Sequence, residues 1–161
     1  ISQYIDNKKK QIKFFISNLK SKNLQEKLYA LDHIQWNAED LFTCDRLTGE
    51  EIEFTNSLLE CLVGETNVKV IDEILTALRM LTESVYIPKA NWEILALEFR
   101  HFKTDWLLEQ SISLLGKTCN RNYIDLIRSF CASNNQEIVE AATEAIATLE
   151  LQSQKIKQSN V

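Results

Sequence analysis

The chain is poor in the residues that break helices. Its 161 residues include three glycines (Gly49, Gly64, Gly116) and a single proline, Pro88. Sheets joined by tight turns spend more of both. That scarcity, alongside abundant Leu, Ile, Glu, Lys and Ala, predicts an all-helical protein. Histidine is equally scarce. His33 and His101 are the two present, and neither stands four residues from another, so no H-E-x-x-H or zinc-ligand spacing exists. A glycine-rich phosphate loop and a G-x-S-x-G elbow are also missing. Cys44, Cys61, Cys119 and Cys131 form no C-x-x-C pair. A core of this size has little need of disulfides, so buried thiols acting as small hydrophobes are expected, with Cys61 and Cys131 on apolar helix faces. Cys44 has acidic neighbours, which raise a thiol pKa and argue against a nucleophile. These absences predict a protein that is not an enzyme and holds no metal or cofactor. No apolar run reaches ~18 residues, the length of a membrane span. The lysine-bearing N-terminus has no apolar segment of the signal-peptide kind. A cytoplasmic protein is expected. Ile1 is not Met, so the numbered chain is expected to begin after trimmed residues.

What is present is charge, unevenly spread. The formal net charge is −5. Residues 1–27 carry seven lysines against Asp6 and Glu26, a local +5, and Lys155 and Lys157 lie near the C-terminus. Residues 28–154 therefore carry −12. An acidic body disfavours a nucleic-acid backbone as the main ligand and favours a basic protein partner. The lysine run at 8–10 reads as the solvated face of a terminal helix, since no aromatics interleave it.

Periodicity supplies the helices, and the chain is organised around one of them. In Asn67–Glu83, Val68, Ile71, Ile74, Leu75, Leu78 and Leu81 recur at spacings of three and four, one broad apolar face. Val70, Ala77 and Met80 widen it, so this helix must be covered on two or three sides. Asn67 is its N-cap. Ahead of it come a helix from Ser2 to about Leu19 and another from Asn23 to about Trp36. The first half of Asn37–Glu53 reads as a loop or short helical turn, and a third helix opens at a Thr48–Glu51 capping box and closes at Gly64. After it, Pro88 is expected near the start of a fifth helix reaching His101. Asp105 is expected to cap a sixth, Asn120 or Asn122 a seventh, and Asn134 or Asn135 an eighth, which frays beyond about Gln152. Trp106 is expected to be a core anchor.

The second helix of each successive pair opens with a side-chain cap (Asn23, Asn67, Asp105, Asn135), followed by an acid among apolar positions (Glu26, Asp72, Glu109, Glu140). The segment LEQSISLLG (108–116) matches VEAATEAIA (139–147), with the small residues Ser111 and Ala142 where helices approach. On this pattern the chain resembles the HEAT and armadillo class of helical repeats. The resemblance implies a right-handed α-solenoid of stacked antiparallel helix pairs, about eight helices in a single domain over residues 1–152 with a polar tail at 153–161. A closed orthogonal bundle of seven or eight helices is the alternative.

Stacked pairs present one long surface made by the second helices. Asp72, Glu73, Glu109 and Glu140 are expected on it, with Trp36, Glu39, Asp40 and Asp45 at one end, where an aromatic beside acids suits a basic partner; the other reading of Trp36 is a core residue, since large aromatics usually bury. In size, helical character and acidity, with Lys/Asn/Ile-rich usage, the chain is similar to small bacterial immunity proteins of contact-dependent growth inhibition. That resemblance implies a cytoplasmic toxin inhibitor, monomeric when free, which binds a basic cognate toxin, a nuclease above all, and neither nucleic acid nor membrane. Other functions on the same scaffold are an adaptor in a larger complex, a helical lyase or pigment adaptor, and a DNA glycosylase. The last needs a basic groove, the wrong sign for this body.

Overall fold

A computed structural model of the chain describes residues 2–41, 49–84 and 87–159. It is all-helical, with eight α-helices and no strand among the described residues. The helices cluster into two compact units, Ile1–Asn91 and Trp92–Val161.

The first unit holds α1 (Ser2–Leu19), α2 (Leu24–Leu41), α3 (Glu50–Glu60) and α4 (Val68–Ser84). α1 packs on α2 and on α3, and α4 packs on α2 and on α3. First helices thus lie on first helices and second on second. The amphipathic pattern explains why. On α4, Val70, Ile71, Ile74, Leu75, Ala77, Leu78 and Leu81 are all buried, and no single neighbour spans an arc that wide. Each large side chain so buried contributes roughly 1.5–3 kcal/mol. Val68 departs from the pattern and is exposed, because it opens the helix ahead of the first covered turn. Asn67 caps α4 as its sequence predicts: its Oδ1 accepts from the N–H groups of Lys69 (3.0 Å) and Val70 (3.3 Å). Asn23 does the same for α2, accepting from Gln25 (2.9 Å).

Several boundaries differ from the expected ones. α2 continues five residues past Trp36, through Asn37, Ala38, Glu39, Asp40 and Leu41, where a loop or short helical turn is expected. Ala and Glu favour helix, and propensity prevails there. α3 is preceded by Gly49, in the left-handed conformation at φ 87°, and no side chain caps it. Thr48 lies outside the described residues, and with it the proposed capping box. Gly64, at φ 69°, takes the left-handed turn that ends the helix–turn segment. Pro88 falls in a turn well ahead of the next helix rather than in its first turn.

The second unit holds α5 (Glu93–Glu98), which runs into a 3-10 turn (Phe99–His101), α6 (Asp105–Gly116), α7 (Tyr123–Arg128), which runs into a second 3-10 turn (Ser129–Ala132), and α8 (Gln136–Ser159). α6 packs along α8, α5 touches α6, and α7 touches α8. Phe99 and Phe130, one from each 3-10 turn, meet at 5.4 Å between ring centroids. Tyr123 Oη donates to Glu93 Oε2 at 3.2 Å across the two short helices. Asn135 caps α8 through its Oδ1, which accepts from the Glu137 N–H (2.9 Å). Asp105 does not cap α6. It is the first helical residue, and its carboxylate accepts instead from Asn135 Nδ2 at 2.9 Å, tying the starts of α6 and α8 together.

Candidate functional site

The α6–α8 crossing is built from small residues. Ser111, Gly116, Ala141, Ala142 and Ala145 are all buried, and the Ser111 hydroxyl donates to its own helix at the Leu107 carbonyl (2.7 Å), so it spends no partner elsewhere. Helices that meet through such residues come close. The side chains that flank the seam then stand as walls. On α6 these are Trp106, Glu109 and Ser113, at i, i+3 and i+7. On α8 they are Glu137, Glu140 and Glu144, again i, i+3 and i+7. Between them lies a hollow of about 250 Å³, and among the described residues no basic side chain lines it.

Four carboxylates thus surround one indole. Trp106 is 48% exposed, not a core anchor, because its register follows Glu109 and Ser113 and not the inward Leu107, Ser111 and Leu114. Glu109 titrates above the ordinary glutamate range, first because burial disfavours its charge and second because Glu137 repels it. Glu140 accepts from Gln136 Nε2 at 3.1 Å, one turn away on α8. The chemistry on offer is that of a receptor for a cation with an apolar stem: negative walls and an aromatic face.

Comparison with protein-family models, with curated proteins and with solved structures returned no match. The site therefore stands on its own geometry.

Of the acids singled out from the sequence, Glu109 and Glu140 meet at this hollow. Asp72 and Glu73 belong to the first unit, half-buried on α4, where the Glu73 carboxylate accepts from Gln35 Nε2 of α2. Trp36, Glu39 and Asp40 lie in the last turns of α2, with side chains outside the described ones, and Asp45 is outside the described residues. Sequence reasoning missed Glu137 and Glu144, and it placed Trp106 inside. The signal was there in the matched i, i+3, i+7 spacings of two helices, but nothing in one dimension says that those two faces meet.

The remaining features are less suggestive. Cys61 Sγ lies 3.2 Å from the Leu19 carbonyl, and burial pushes its thiol up, the opposite of an activated nucleophile. Cys61, Cys119 and Cys131 are half-buried rather than buried. Among the described residues no group of three His, Cys, Asp or Glu side chains is placed to hold a metal ion, and no helix is long and apolar enough to cross a membrane.

Proposed function

We propose that the protein is a non-enzymatic binding module that grips a basic protein through the α6–α8 hollow. Its most specific form is an immunity protein that blocks a basic toxin, a nuclease being the fitting class. One observation carries this reading: a half-exposed tryptophan set among Glu109, Glu137, Glu140 and Glu144 with no basic residue among the described residues of the lining. Long-range attraction between the acidic body and a basic surface speeds encounter. A lysine or arginine side chain then lays its stem on Trp106 and its charge among the carboxylates. On a nuclease these carboxylates occupy the place of substrate phosphates and obstruct the cleft. The test uses the product of the neighbouring gene, purified in an inactivated form. A stable complex is expected, weakened roughly ten-fold or more by Trp106→Ala or Glu140→Lys. Its association rate falls as salt rises. A complex indifferent to both substitutions sinks this assignment. One broken by charge reversal at Asp72 and Glu73 alone moves the contact to the first unit.

A further inference from the structure

A second surface, in the first unit, has the opposite chemistry. Phe14 of α1 and Tyr29 of α2 are each 53% exposed. They are the two ends of a ribbon of rings. Phe14 meets Phe15 edge-on at 5.9 Å, Phe15 meets His33 at 5.9 Å, and His33 lies 4.1 Å from Tyr29. Phe15 is buried, so it anchors the ribbon in the core while both ends stay open. Lys10 and Lys13 are both exposed on α1: Lys10 stands one turn before Phe14 on the same face, and Lys13 stands one turn after Lys10. They belong to the N-terminal stretch that carries +5 in a chain of −5. Among the described side chains of these two helices, Asp6 and Asp32 are the exposed acids other than Glu26, whose carboxylate the Ser21 hydroxyl holds. No aromatic interleaves the lysine run in the sequence, and the fold sets a ring of α1, Phe15, against His33 of α2.

We propose that this α1–α2 face binds a short single strand of nucleic acid. Open rings on a helix that also carries exposed lysines are what a base–phosphate chain uses: bases lie on the rings and phosphates reach the ammonium groups. A bilayer fits less well. The apolar face that α1 would insert, made of Phe15, Ile16 and Leu19, is already buried in the core. An acidic peptide would use the lysines but has no use for exposed π faces.

The test is fluorescence anisotropy of the full-length chain with a labelled thymidine oligomer of about twelve nucleotides, at about 50 mM salt and again at about 200 mM. Saturable binding is expected. The exposed pair Phe14→Ala/Tyr29→Ala loses on the order of ten- to a hundred-fold in affinity, with an unchanged circular dichroism spectrum. Lys10→Gln/Lys13→Gln flattens the dependence of log affinity on log salt by about 1.4, two phosphate contacts at ~0.7 each. The proposal is overturned by no binding at low salt or by full affinity in the ring variant. It is equally overturned if polyglutamate or phosphatidylserine vesicles displace the oligomer as well as unlabelled oligomer does. The groove variants Trp106→Ala and Glu140→Lys leave this binding unchanged, which separates it from the fate of the protein-binding assignment.

Discussion

Substituting Gly116 measures how tightly α6 and α8 must meet. A methyl group built there comes 2.8 Å from the Ala145 Cβ and 2.9 Å from its Cα. Both contacts are with atoms fixed to a helix backbone, so the helices themselves must part. Overpacking of this kind costs about 1–3 kcal/mol. Against it stands the helix propensity gained on replacing glycine by alanine, up to ~1 kcal/mol in a helix interior. Gly116 closes α6, so that gain is smaller here. The net expectation for Gly116→Ala is a loss of roughly 1–2 kcal/mol, and for Gly116→Val more. In a unit of this size each kcal/mol lowers the melting temperature by about 4–8 °C. Urea and thermal melts of the full-length chain, followed by tryptophan emission, provide the readout, since Trp92 of the same unit is buried. The partner substitution isolates the cause. Ala145→Gly alone weakens α8 by about 1 kcal/mol of propensity, but combined with Gly116→Ala it removes the collision. The double variant is then more stable than the sum of the single effects predicts. Because Glu144 is next to Ala145 and Ser113 is one turn before Gly116, parting the helices also widens the acidic hollow. A neutral or stabilising Gly116→Ala, or strict additivity with Ala145→Gly, refutes the close crossing.

Other perturbations test other parts of the structure. Asn67→Ala and Asn135→Ala each remove a side-chain cap, and each is expected to cost about 1 kcal/mol in urea melts. Asn135→Ala costs more of the two because it also breaks the bond to Asp105. Ile74→Ala empties a fully buried site on α4 and is expected to cost about 2–5 kcal/mol. Tyr123 is pushed up to about 12 by burial and by the Glu93 carboxylate beside it. The folded state keeps this phenol neutral, so its contribution to stability is complete below the ordinary tyrosine range and is lost as pH rises through about 12. Absorbance titration should show a late phenolate step that Tyr123→Phe abolishes. Glu109 is likewise raised, so folding favours its protonated form and its charge opposes folding at neutral pH. Glu109→Gln is expected to raise the melting temperature slightly at neutral pH, and the difference should vanish below the glutamate range.

How far the sequence speaks depends on whether a feature is local. The α4 face is legible because burial over most of its girth, with one polar stripe left out, leaves an apolar period that nothing else explains. Asn23, Asn67 and Asn135 are legible because a cap bonds to N–H groups two or three residues on. Asp105 has the same residue chemistry as a cap and fails as one. Its carboxylate is claimed by Asn135, thirty residues away, and sequence spacing carries no trace of that competition. Trp106 is misread for a related reason. Large aromatics usually bury, but a helix start leaves the second residue free to follow either face, and only the position of α8 decides which. The acidic hollow shows how the two kinds of information combine. Glu109 and Glu140 stand out from the internal pattern, yet that pattern ranks them as equivalents in different pairs, not as neighbours. They become neighbours because the small residues at 111, 116, 142 and 145 bring α6 within contact of α8. Once the seam is closed, the side chains that flank it line its edge: Trp106, Glu109 and Ser113 on α6, and Glu137, Glu140 and Glu144 on α8. The same stripe that looks like packing in the sequence thus sets the width and the charge of the site. Substitutions at Gly116 and Ala145, which touch no carboxylate, should therefore change partner affinity as well as stability.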